Sequence, residues 1–71
     1  MSASDLNVNE KGIIKELTTD DKPIRRRLLD LGFIPNEEIF CYKKVSGTYA
    51  FIVMGCIYGI RKEIAMNIIL K

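Results

Sequence analysis

Few residues in this sequence could do chemistry. Three consecutive arginines, Arg25, Arg26 and Arg27, concentrate positive charge, and their planar forks suit carboxylates or phosphate. Two carboxylate pairs, Asp20-Asp21 and Glu37-Glu38, could offer oxygen ligands to Fe²⁺ or Mg²⁺. Neighbouring residues on a strand point to opposite faces, which makes Glu37-Glu38 a poor chelate, and capping of a following helix accounts for Asp20-Asp21. Cys41 and Cys56 lie fifteen positions apart without a CxxC spacing, and the chain has no histidine. That suits neither a zinc site nor a dithiol redox motif.

Catalysis fails on inventory. A serine or cysteine nucleophile needs a base, and only carboxylates, lysines and tyrosines remain, none at a telling spacing. The five glycines are scattered, without GxxxxGK[ST] or GxGxxG, so no phosphate-cradling loop is expected. These absences predict a protein that is not an enzyme and holds no cofactor or metal of its own.

The charge balance narrows the partners. Eleven Lys and Arg face nine Asp and Glu, for a net charge of +2, and residues 1–36 carry six of each sign. So even a balance gives no field to gather nucleic acid or an anionic membrane. The longest apolar stretch, Ala50 to Ile60, is eleven residues with two glycines, against the roughly 20 that a spanning helix needs. No membrane insertion is expected. With no signal peptide at the N-terminus, both cysteines read as buried thiols of a cytoplasmic protein, although the sequence leaves a disulfide between them open.

The elements that position these groups follow from period and punctuation. Residues 1–5 are small and polar and read as a frayed end, leaving 6–71 as one domain. Leu6 and Val8 alternate with asparagines, as a short extended segment would. Gly12 opens a strand through Ile13, Ile14 and Leu17. Asp20 or Asp21 then caps a three-turn helix with Pro23 in its first turn; Ile24, Leu28 and Leu31 form its apolar stripe, and Gly32 is its left-handed stop. Leu29 falls off that stripe. Pro35-Asn36 supplies a tight turn, Asn36 tolerating the left-handed conformation. Strands are expected over 38–45, 49–54 and 56–60, a meander joined by turns at Ser46-Gly47-Thr48 and Gly55. On the first of these, Ile39, Cys41 and Lys43 fall on one face and Phe40, Tyr42 and Lys44 on the other. A short helix from Arg61 to Asn67 leads to a last strand, Ile68 to Leu70, which pairs with the first strand. Five short strands with two helices argue for a small SH3-like β-barrel, because closure removes exposed edges.

The run Ile24-Arg25-Arg26-Arg27-Leu28-Leu29-Asp30-Leu31-Gly32-Phe33-Ile34-Pro35 is similar to the RRL-x-x-LG-x-x-PG signature of the ferrous iron transport protein A (FeoA) family. Tyr58 to Ile68 resembles that family's ialR-x-x-eA-x-x-I ending, and a hydrophobic hairpin separates the two motifs at the family's spacing. The resemblance spans Leu6 to Leu70. It implies a small cytoplasmic SH3-like domain that regulates or assists a membrane-embedded ferrous iron permease carrying a GTP-binding domain, without itself carrying iron. A related barrel forms the C-terminal domain of iron-dependent repressors of the diphtheria-toxin-repressor type. The alternative is therefore an interaction module associated with metal-dependent repression.

Within that frame, Arg25 and Arg26 point away from the helix stripe and are candidates to engage an acidic partner surface. Arg27, on the stripe's shoulder, is expected to hydrogen-bond loop carbonyls while its stem covers the core. Arg61, between a strand and a helix, is a second architectural clasp. Tyr42, Tyr49 and Tyr58 are candidates for a shallow aromatic peptide groove of the kind that SH3-type folds use. Gly32 and Asn36 have structural roles.

Overall fold

Alternation, glycine and capping residues produce eight elements in a computed structural model that describes residues 1–71. A 3₁₀ turn, Ala3–Asp5, precedes β1 (Lys11–Leu17), α1 (Lys22–Leu31), β2 (Glu38–Val45), β3 (Thr48–Val53), β4 (Cys56–Arg61), α2 (Lys62–Ala65) and β5 (Ile68–Leu70). The strands form one antiparallel sheet in the order β4-β3-β2-β1-β5. Strand β1 changes neighbour halfway. Lys11, Gly12 and Ile13 pair with β2, while Ile14, Glu16 and Leu17 pair with β5 on the other side. This switch, with a register shift between Ile14 and Glu16, bends the sheet sharply around its core.

The expected barrel does not close. The fold is a small SH3-like one of five antiparallel strands and two helices, but β4 and β5 remain at opposite ends of the sheet, bridged by the single turn of α2. The free edge of β5 is covered by the residues expected to fray. Ser2 forms an isolated bridge with Ile69, and the Leu70 amide donates to the Met1 carbonyl at 2.8 Å. Asp5 accepts from the Ser2 amide at 2.9 Å, closing the 3₁₀ turn and seating Ala3 in the core. That hydrogen bond holds the Asp5 carboxyl below its usual pKa. The N-terminus is thus ordered because an unpaired strand edge offers it backbone partners.

Fourteen buried apolar residues from nearly every element form one core, with Phe33, Phe51, Ile14 and Ile39 as its largest wholly enclosed side chains. Cys41 is buried and Cys56 exposed, and both are free thiols. Burial pushes the Cys41 thiol above its ordinary 9.0. The fold therefore favours the protonated thiol. That contribution is intact below pH 9 and disappears as pH climbs through the higher folded-state value.

A bulge re-aims β2. Cys41 pairs with Phe51 and Lys43 with Ala50, leaving Tyr42 unpaired between them. The extra residue reverses the alternation, so Lys44, not Lys43, joins the face of Ile39 and Cys41. There its ammonium lies 4.8 Å from the centre of the Tyr49 ring and donates to the Ser4 carbonyl at 3.0 Å, tying the N-terminal turn to the sheet.

Helix α1 begins where Asp21 accepts from the Ile24 amide at 3.1 Å, with Pro23 in the first turn. It ends at Gly32, whose φ of 106° turns the chain so that the Phe33 amide donates back to the Leu28 carbonyl at 2.9 Å. A second fastening comes from Arg25, whose Nη2 donates to the Leu17 carbonyl at 2.9 Å and the Thr19 carbonyl at 3.2 Å. The turn at Pro35 is completed by Asn36 at φ 73°, and its amide donates to the Ile14 carbonyl at 2.7 Å.

Replacing Arg25 by Leu should lower unfolding free energy by about 1–3 kcal/mol, because two charge-assisted hydrogen bonds disappear. Arg26→Leu, which removes only an exposed ion pair to Asp30 at 3.6 Å, should stay within about 0.5 kcal/mol of the parent. Denaturant titration separates them, and equal effects would contradict the clasp. Gly32→Ala should cost about 1–2 kcal/mol for the left-handed conformation, and its new Cβ would displace the exposed Met54 side chain, whose sulfur lies 2.7 Å away; melting curves provide the check. Native protein should react with a thiol reagent at Cys56 alone, with Cys41 labelled only on unfolding. Equal rates in peptide mapping would contradict the burial of Cys41.

Candidate functional site

The apolar stripe of α1 is only partly used by the core. Leu28 is the helix's one buried residue, while Ile24 and Leu31 are half-buried at the core's margin. Opposite this stripe run β4 and α2, whose Tyr58, Ile60 and Ile64 complete the walls of a groove of about 290 Å³. Tyr58 is fixed from behind by Phe33, the ring centres 6.1 Å apart at an interplanar angle of 56°. Gly59, beside it, also borders the groove, and a side chain there would be directed at Thr48.

Two arginines line the groove with these apolar groups: Arg27 from α1 and Arg61 from the junction of β4 and α2. No acidic residue lines it, and the chain's one ion pair, Arg26–Asp30, uses neither arginine. Arg61 occupies the N-cap position of α2 without a side-chain capping bond. The neighbouring Cys56 thiol, with burial adding to it, pushes the Tyr58 hydroxyl above its ordinary 10.0. A phenol is neutral at physiological pH in any case, so Tyr58 leaves the charge of the arginines uncompensated. The arrangement offers an apolar floor, a phenol and two guanidinium donors. That is chemistry for holding a ligand, with no nucleophile–base pair.

The three arginines of the triplet have distinct surroundings. Arg25, expected to face a partner, instead grips the end of β1 and the loop that follows it. Side chains on a helix lean toward its N-terminus, so an arginine near its start reaches the loop before it. Arg26 is solvent-exposed with Asp30. Arg27, expected to hold loop carbonyls, makes no such bond and lines the groove. The structural role expected of Arg27 is thus filled by Arg25. Arg61 likewise lines the groove rather than clasping a neighbour.

The tyrosines do not assemble into one aromatic groove. Tyr42 is exposed on the β2 bulge, Tyr49 is half-buried beneath Lys44, and Tyr58 alone lines the groove. Aliphatic Ile24, Leu31, Ile60 and Ile64 supply the remaining surface. For Ile24 and Leu31 the sequence signal was the helix stripe, which reads as core because periodicity does not say how much of a stripe is covered. The carboxylate pairs stay apart in role: Asp21 caps α1, and nowhere do three His, Cys, Asp or Glu side chains meet at metal-binding distance. No helix is long and apolar enough to cross a membrane.

The FeoA domain model matches residues 1–71. A search of curated proteins finds no match. Among solved structures, a zinc complex of FeoA from Stenotrophomonas maltophilia, an SH3 domain protein, is 24% identical with a TM-score of 0.89, covering 100% of this chain and 89% of that one. FeoA from Chlorobium tepidum gives 19% identity and a TM-score of 0.91 over 99% of this chain and 68% of its own. IdeR from T. acidophilum also shares the fold, at 24% identity and a TM-score of 0.87 over 99% of this chain but 32% of that protein. With its family model matched from Met1 to Lys71 and the same fold in FeoA structures, this chain belongs to the FeoA domain family.

Proposed function

We propose that the chain is a small accessory protein of ferrous iron uptake, acting on the cytoplasmic side by contact with a membrane permease that carries a GTP-binding domain. The family match over the whole chain carries this reading. It is supported by relatives of the same fold, one described as an iron uptake regulatory protein and one suggested as a ferrous iron transport activating factor. The groove adds a physical means: an apolar surface on a helix and an adjoining strand, left uncovered by the chain's own residues. A protein of this kind contributes binding energy, while the permease supplies nucleotide chemistry and the path for iron. The likeness to IdeR, across 32% of that protein's length and at 24% identity, extends to fold alone.

The test is association of the full chain with the intact permease in lipid, read by calorimetry and by iron flux into vesicles. The expected result is a saturable complex whose NMR shift changes cluster on α1, β4 and α2. Absence of association, with or without guanine nucleotide, together with unchanged flux, would sink the proposal.

A further inference from the structure

We propose that the groove between α1 and the β4–α2 junction selects a short peptide segment of a partner protein in which a large apolar residue is flanked by Asp or Glu. This deepens the reading of the chain as a contact protein and rests on it. The floor is apolar, formed by residues such as Leu28, Leu31 and Ile60. At about 290 Å³ it lies at the lower end of the range of ligand pockets, about 300–1,000 Å³. That is room for one or two side chains rather than for the whole face of a docking helix.

Charge supplies the second requirement. Arg27 and Arg61 reach the same groove from different elements, with no acidic residue of the chain among its lining and no ion pair of their own. An apolar segment without a carboxylate would be held by the floor but would leave two guanidinium groups partly desolvated and unpaired, an unfavourable state. A carboxylate beside the apolar anchor accepts from them in the fork geometry that arginine favours. A free phosphate could pair with the arginines but would leave the floor empty. The chemistry that satisfies both parts is therefore an acidic, apolar peptide.

The experiment is selection from a phage-displayed library of random short peptides against the full chain, followed by titration of the selected peptides by NMR. Arg27→Gln and Arg61→Gln remove charge at side chains that make no bond within the fold, and denaturation curves confirm that both variants remain folded. Selected sequences should pair Leu, Ile or Phe with Asp or Glu, shift Tyr58, Ile60 and Leu31 resonances, and bind the double variant about tenfold more weakly or worse. Their affinity should fall as salt rises to about 0.3 M and screens the pairing. Peptides lacking carboxylates, binding unaffected by the arginine substitutions, shifts on another face, or no selected peptide beside binding to anionic vesicles would each overturn the proposal. Because no permease is present, this result is independent of the permease assay. Acidic peptide selection without permease association would leave the groove chemistry standing and refute the assigned partner; permease association without acidic selection would do the reverse.

Discussion

Helix α1 is fastened at its ends more than along its face. Asp21 closes its first turn, Arg25 reaches back to the Leu17 and Thr19 carbonyls, and Gly32 reverses the chain at its last turn. Were the helix held by hydrophobic burial alone, its whole stripe would have to sink into the core, as amphipathic surface helices ordinarily do. Polar fastening relaxes that demand. Leu28 suffices as the buried anchor, and Ile24 and Leu31 are left at the margin to line a groove. The open apolar surface therefore depends on hydrogen bonds made elsewhere on the same helix.

Local chemistry made much of this fold legible. An aspartate cap at position 20 or 21, the Gly32 stop, Asn36 in its left-handed turn and the strand Glu38–Val45 all follow from residue type and spacing. What escaped were features set by relations between distant segments. Closure of the sheet depends on whether β4 and β5 can meet, and a period of two carries no information about that. The fate of residues 1–5 depends on an edge created by β5, at the other end of the chain. The triplet was visible as a cluster of charge, yet the division of labour within it depends on which carbonyls each guanidinium can reach. A helical wheel gives angle around the axis and omits the lean along it. The groove was legible as an amphipathic stripe, but not as a stripe left open.

The same limitation explains Lys44. Strict alternation along β2 sends it outward, and the unpaired Tyr42 brings it inward. One inserted residue thereby converts a solvent-facing cation into the link between the Tyr49 ring and the Ser4 carbonyl. Bulges of this kind are decided by fit between strands, since the cost of one unpaired residue is offset by contacts made beyond it. No composition or propensity marks the position.

The pairing of the N-terminal segment with β5 makes the chain almost a ring. The Met1 carbonyl receives the Leu70 amide at 2.8 Å, so segments at opposite ends of residues 1–71 meet in space. Most of the loop-closure entropy of a cyclic molecule has already been spent in the native state. A few linking residues could join the termini with little distortion, and a new opening could be cut at the exposed Ser46-Gly47 hairpin tip. The order in which the strands are connected is in that sense separable from the sheet they build.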